Sequence, residues 1–163
     1  MKYCIQILAI GIVTFSYVHV SLAKVVYFGG TATQSSPGLG KTMPFITFGV
    51  LPNLEKPTQI NEVLHSNFTE SITFRFGASN KAVRTTKIIV PGEAIATKTH
   101  GTFKLKHSGL VTIVTMNFSG ASKAQKWADT YSLTITATKL TAKILFMKGG
   151  VATTTTKFSG NMY

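Results

Sequence analysis

GTFKLKHSGLVTIVTMNF, residues 101–118, is the stretch that decides the fold. Along Gly101–Lys106, Phe103 and Leu105 point one way, while Thr102, Lys104 and Lys106 point the other. His107, Ser108 and Gly109 form a turn, and Leu110–Phe118 reads as the hairpin partner. Tyr131–Thr138 repeats the alternation over eight residues with hydroxyls on one face. Successive strand residues face opposite sides of a sheet, so a period of two marks a half-buried antiparallel strand.

Working outward, similar runs recur with turn residues between them. Val25–Phe28 ends at Gly29-Gly30, Phe45–Phe48 at Gly49, and Ser71–Phe76 at Gly77, while Lys87–Val90 meets Pro91-Gly92. Thr, Val, Ile and Phe dominate these runs, the residues that suit a pleated surface. Only Lys56–Leu64 and Ser122–Ala128 invite a helix, and neither carries a strong apolar stripe. Regularly spaced strands without intervening helices predict an all-β protein, an antiparallel immunoglobulin-like β-sandwich or a β-barrel.

The N-terminus reads as a secretory signal peptide over residues 1–23. Lys2 precedes an apolar run from Ile5 to Val20, and Ser21-Leu22-Ala23 sets small residues at a cleavage site. A membrane anchor would need about 20 apolar residues without such a site. Cleavage leaves one domain over 24–163, with no transmembrane segment and without Cys4, the single cysteine. The mature chain then has no disulfide and no thiolate, and a packed core must hold it together. The expected location is secreted: extracellular, periplasmic or on the cell surface.

The whole chain carries 17 Lys and Arg against five Asp and Glu, a formal net charge of +12. Without Lys2, 16 basic residues face the same five acidic ones, which gives +11. Such an excess attracts polyanions. Lys81, Arg84 and Lys87 cluster in one stretch, and Lys104 and Lys106 share one face of a strand. These five are the polyanion-binding candidates. Regularly interleaved aromatics that would stack nucleobases are missing.

Pro37-Gly38-Leu39-Gly40-Lys41-Thr42 resembles the end of a phosphate-binding loop. That motif needs a first glycine where Ser35 stands, and it must open a helix. Here a strand-like run, Phe45–Phe48, follows, so the stretch reads as a turn and no nucleotide is expected. His65, His100 and His107 lack the spacing and acidic support of a metal centre. The five acidic residues form no evident catalytic pair, and no Gly-x-Ser-x-Gly elbow occurs. The sequence predicts no enzyme, no metal and no cofactor. Asn67-Phe68-Thr69 and Asn117-Phe118-Ser119 match the glycosylation acceptor, which matters only in a eukaryotic secretory route.

MPFITFGVLPN (43–53) and KWADTYSLTITAT (126–138) carry a family resemblance. The first resembles the early strand, and the second the closing strand, of small secreted bacterial β-sandwich proteins of the fimbrial, spore-coat-protein-U-like type. The chain departs from them in lacking their usual disulfide and in continuing from Lys139 to Tyr163. Residues 139–163 read as an extra hairpin or a strand donated to a neighbour. The resemblance implies a non-catalytic structural or adhesive surface subunit, with self-association or a strand-donating partner. The strand-pairing candidates are Val25, Val26, Tyr27 and Phe28, and Ile144, Leu145, Phe146 and Met147. The alternative is a monomeric secreted module that captures DNA, lipopolysaccharide or an acidic glycan on its basic surface. A small hydrolase on a β scaffold ranks third.

Overall fold

The computed structural model describes residues 24–36, 39–65, 69–90, 92–121 and 125–163. The signal segment with Cys4, the Pro37-Gly38 pair and Asn67 of the first glycosylation triplet lie outside the described residues.

Ten strands run in chain order: β1 (Val26–Ser36), β2 (Leu39–Leu51), β3 (Gln59–His65), β4 (Thr69–Phe76), β5 (Lys81–Val90), β6 (Glu93–Ser108), β7 (Val111–Ala121), β8 (Lys126–Ile135), β9 (Lys139–Lys148) and β10 (Val151–Met162). Each pairs antiparallel with the next, and β10 returns to β1 to close a barrel. The closing ladder runs from Phe28 opposite Met162 to Ser35 opposite Thr155. The expected all-β antiparallel class holds, and of its two forms the barrel is the one present. One sheet closed on itself pairs its first strand with its last without a second layer, so a two-sheet sandwich does not form.

The hairpin of residues 101–118 forms with Phe103 opposite Met116 and Leu105 opposite Val114. Leu110 sits in its turn, almost wholly exposed, and Gly109 takes the positive φ there. Gly149 and Gly150 both have positive φ, as the tight β9–β10 turn requires. Residues 139–163 therefore form a hairpin that completes the wall.

Other expectations are corrected. Leu39–Thr42 belongs to β2, with Gly40 opposite Ser35 and Lys41 opposite Gln34, so it is strand rather than turn. Of the two stretches that invited a helix, the first gives β3 at Gln59–His65 and the described end of the second, Lys126–Ala128, opens β8, while residues 122–124 lie outside the described residues. Alternating partners across the sheet override weak local preference. Among the described residues the one helix is a 3-10 turn at Ala78–Asn80, and none is long and apolar enough to cross a membrane.

Inward residues fill one end of the barrel. Phe28, Phe48, Val50, Ile60, Phe74, Val114, Met116, Leu133, Ile135 and Leu140 are buried there. The Phe48 and Phe158 rings lie 4.8 Å apart, as do those of Phe74 and Tyr131. Both distances suit tilted or edge-on aromatic packing.

Candidate functional site

About eight strands make a barrel just wide enough for side chains to fill. Ten strands make a wider one, and toward the end that carries the β1–β2, β3–β4, β5–β6, β7–β8 and β9–β10 connections the lumen is not filled. A cavity of about 400 Å³ remains. Its apolar wall is built by Ile46 of β2, Leu64 of β3, Ile72 of β4, and Ile144 and Phe146 of β9. Its polar wall includes Gln34 of β1 and Thr154 and Thr156 of β10.

Thr86 of β5, four charged groups and a phenol complete the lining, the last five being Glu62, Glu70, Arg84, Asp129 and Tyr131. Strand alternation brings them inward. Glu62 lies between inward Ile60 and Leu64, Arg84 between Ala82 and Thr86, and Asp129 two residues before Tyr131. Each sits where the packed end gives way to the cavity.

Arg84 is the centre of this cluster. Its Nη1 donates to Asp129 Oδ2 in an ion pair whose side chains are 12% and 10% exposed, and to the Tyr131 hydroxyl at 3.3 Å. The guanidinium carbon lies 5.0 Å from the Phe118 ring centre and 5.5 Å from that of Trp127, within cation–π range. Burial works against the Arg84 charge, but Tyr131 and Asp129 outweigh it and raise its pKa. Burial, with Glu62 next, likewise raises the Tyr131 phenol, which stays protonated. Arg84 Nε has no hydrogen-bond partner.

Glu62 has no such partner for its charge. Its carboxyl is buried, and Oε2 accepts no hydrogen bond. Desolvation, reinforced by the Glu70 charge and opposed by Arg84, moves its pKa from 4.5 to about 7. A buried carboxyl near a like charge resists ionisation in this way.

Of the polyanion-binding candidates, Lys81, Lys87, Lys104 and Lys106 are exposed on the outer wall. Lys104 lies opposite Thr115 and Lys106 opposite Ile113, with Lys98 and His100 on the same outward face of β6. Arg84 is separated from them, because its strand position faces the lumen. Among the described residues the Arg84–Asp129 pair is the one salt bridge, so the outer lysines are not neutralised by ion pairing.

Seven of the eight strand-pairing candidates are paired within the chain, and five of them on both sides. Val26, Tyr27 and Phe28 pair with Val50, Gly49 and Phe48, and Phe28 also with Met162. Val25 precedes β1 and stands outside the ladder. Ile144, Leu145, Phe146 and Met147 pair with both β8 and β10. A free edge lies elsewhere. From Glu93 to His100, β6 pairs with β5 alone, because β6 leaves β7 at Gly101 opposite Phe118. A Cβ on Gly101 would lie 2.2 Å from the Asn117 carbonyl oxygen, so only glycine allows that close departure.

His100 and His107 do not converge, and the His65 side chain lies outside what the structure describes. His100 is on the outer wall, and His107 meets Thr112 Oγ1 at 2.9 Å near the packed end. Among the described residues no three His, Cys, Asp or Glu side chains are placed to hold a metal ion. In the second glycosylation triplet Asn117 and Ser119 are on the outer face of β7, where Asn117 Oδ1 accepts from Thr130 at 3.0 Å, while Phe118 between them is buried.

Sequence reasoning treated the carboxylates as scattered and missed the lumen cluster. The signal was available. Glu62, Arg84 and Asp129 each occupy a position whose i ± 2 neighbours are apolar or inward-facing, the mark of a polar group set into a buried face. No protein-family model, curated protein or solved structure matches the chain.

Proposed function

We propose that this protein is a non-catalytic binding barrel that takes a small organic molecule into the unfilled half of its lumen. The observation that carries this reading is the cavity of about 400 Å³, apolar on one side and charged on the other. Small-molecule sites commonly span about 300–1,000 Å³ and combine an apolar lining with a few placed polar groups. If residues 1–23 direct export, the ligand is met outside the cytoplasm.

The test uses N-phenylnaphthylamine, a neutral fluorophore that brightens in apolar surroundings. The protein should give a saturable rise in emission. Ile144→Trp, which fills the cavity from β9, should weaken binding at least tenfold while circular dichroism shows an intact sheet. Unchanged binding by a folded Ile144→Trp variant would remove the lumen as the site.

The unneutralised outer lysines favour a second reading, capture of a polyanion on the β5–β6 face. Lys98, Lys104 and Lys106 project from one strand with Lys81 beside them on β5. Such binding weakens steeply with salt, since released counterions drive it. Assembly by strand pairing, the mode that the family resemblance implies, would use the Glu93–His100 edge of β6.

A further inference from the structure

Three of the five acidic residues in the chain line the lumen: Glu62, Glu70 and Asp129. They stand inside a protein of net charge +12, opposite one guanidinium. Arg84 is committed to Asp129. Glu62 and Glu70 remain, on adjacent strands β3 and β4, with no cation paired to either among the described residues. Glu62 is buried and its Oε2 lacks a partner. A buried carboxylate is costly unless it is paired or takes up a proton, so in its ionised form this wall is complementary to a positive charge.

We infer that the lumen selects a small organic ammonium ion, its charged head seated at Glu62 and Glu70 and its apolar body against Ile72, Ile144 and Phe146. The inference rests on the lumen-binding reading above. A metal ion does not fit, since no three ligating side chains converge among the described residues. An anion does not fit either, because Asp129 already neutralises Arg84 and two further carboxylates would repel it.

The groups facing Glu62 are Glu70 from β4, Arg84 from β5, and Asp129 and Tyr131 from β8; β1 and β10 contribute only the neutral Gln34, Thr154 and Thr156. The head group binds the ionised form of Glu62, so the cation and a proton compete for one carboxylate. With the free carboxyl titrating at about 7, affinity for an ammonium ion should rise about tenfold from pH 6 to pH 8.

Calorimetry with three probes of similar shape tests this: phenethylammonium, phenylpropanol and phenylpropionate. At pH 8 phenethylammonium should bind at least tenfold more tightly than either other probe. Glu62→Gln should remove that preference and its pH dependence while keeping phenylpropanol binding, and Lys143→Ala on the exposed face of β9 should change nothing. If Glu62→Gln does not fold, Glu70→Gln gives the same reading with a smaller loss. Equal or tighter binding of phenylpropanol or phenylpropionate overturns the inference and leaves the lumen reading intact. So does failure of all three probes when N-phenylnaphthylamine still binds. Failure of all four removes the lumen reading itself, and the inference with it.

Discussion

The two halves of the barrel are built from the same strands and differ in what those strands turn inward. At one end β2 presents Phe48 and Val50, and β8 presents Leu133 and Ile135, all buried. At the other, β3 presents Glu62, β5 Arg84 and Thr86, and β8 Asp129, around a cavity. One half holds the fold together, while the other places charge in a low-dielectric space. A single meander can thus separate close packing from an open, charged space along its axis. The filled end anchors the strands that hold the costly groups at the open one.

The sharpest way to break this division is to truncate one ring in each half. Phe48→Ala, at a fully buried site against Phe158, should cost about 4 kcal/mol in urea unfolding. Phe146→Ala, on the cavity wall, should cost about 1 kcal/mol, since this ring is only partly buried and already borders open space. Equal losses would erase the distinction between the halves.

Asp129→Ala removes the partner of a buried guanidinium and should cost about 3 kcal/mol, because Arg84 is left uncompensated. Replacing Arg84 as well, by Met, should recover much of that loss; no recovery would show that Asp129 acts through something other than this pair.

The pH dependence of stability sharpens the comparison further. Glu62 has its pKa raised to about 7 in the folded chain, from 4.5. The folded state therefore holds this proton more tightly than the unfolded state does. Its contribution is greatest below pH 4.5, falls as pH rises, and reaches its floor above about 7. Relative to Glu62→Gln, the unmodified protein should lose up to about 3 kcal/mol between pH 4.5 and pH 8. Parallel stability profiles for the two proteins would contradict the burial of an unpaired carboxyl.

Much of the wall was legible in the sequence and much of its interior was not. Phe103 and Leu105 face inward as their alternation requires, because period two has one structural meaning. Closure was harder to see. Whether residues 139–163 pair with a neighbour or return to β1 depends on a ladder between Phe28 and Met162, which are far apart in sequence. Arg84 was grouped with Lys81 and Lys87 by charge, although strand parity sets it on the opposite face from both. The Glu62, Glu70, Arg84 and Asp129 cluster joins three regions of the chain, and only the barrel brings them to one space.

The smallest effect belongs to the outer wall. Replacing Lys104 and Lys106 together with Glu should change stability by less than about 0.5 kcal/mol, as exposed strand positions do. It should nonetheless lower the salt needed to elute the protein from a polyanion column. Unchanged elution would remove that face as a polyanion site.

The most direct test of the account is a methyl NMR titration with N-phenylnaphthylamine. Ile46, Ile72 and Ile144 should shift with saturation, while Val114, Leu133 and Ile135 in the packed half should stay in place. Shifts confined to the outer wall, or spread equally over both halves, would contradict it.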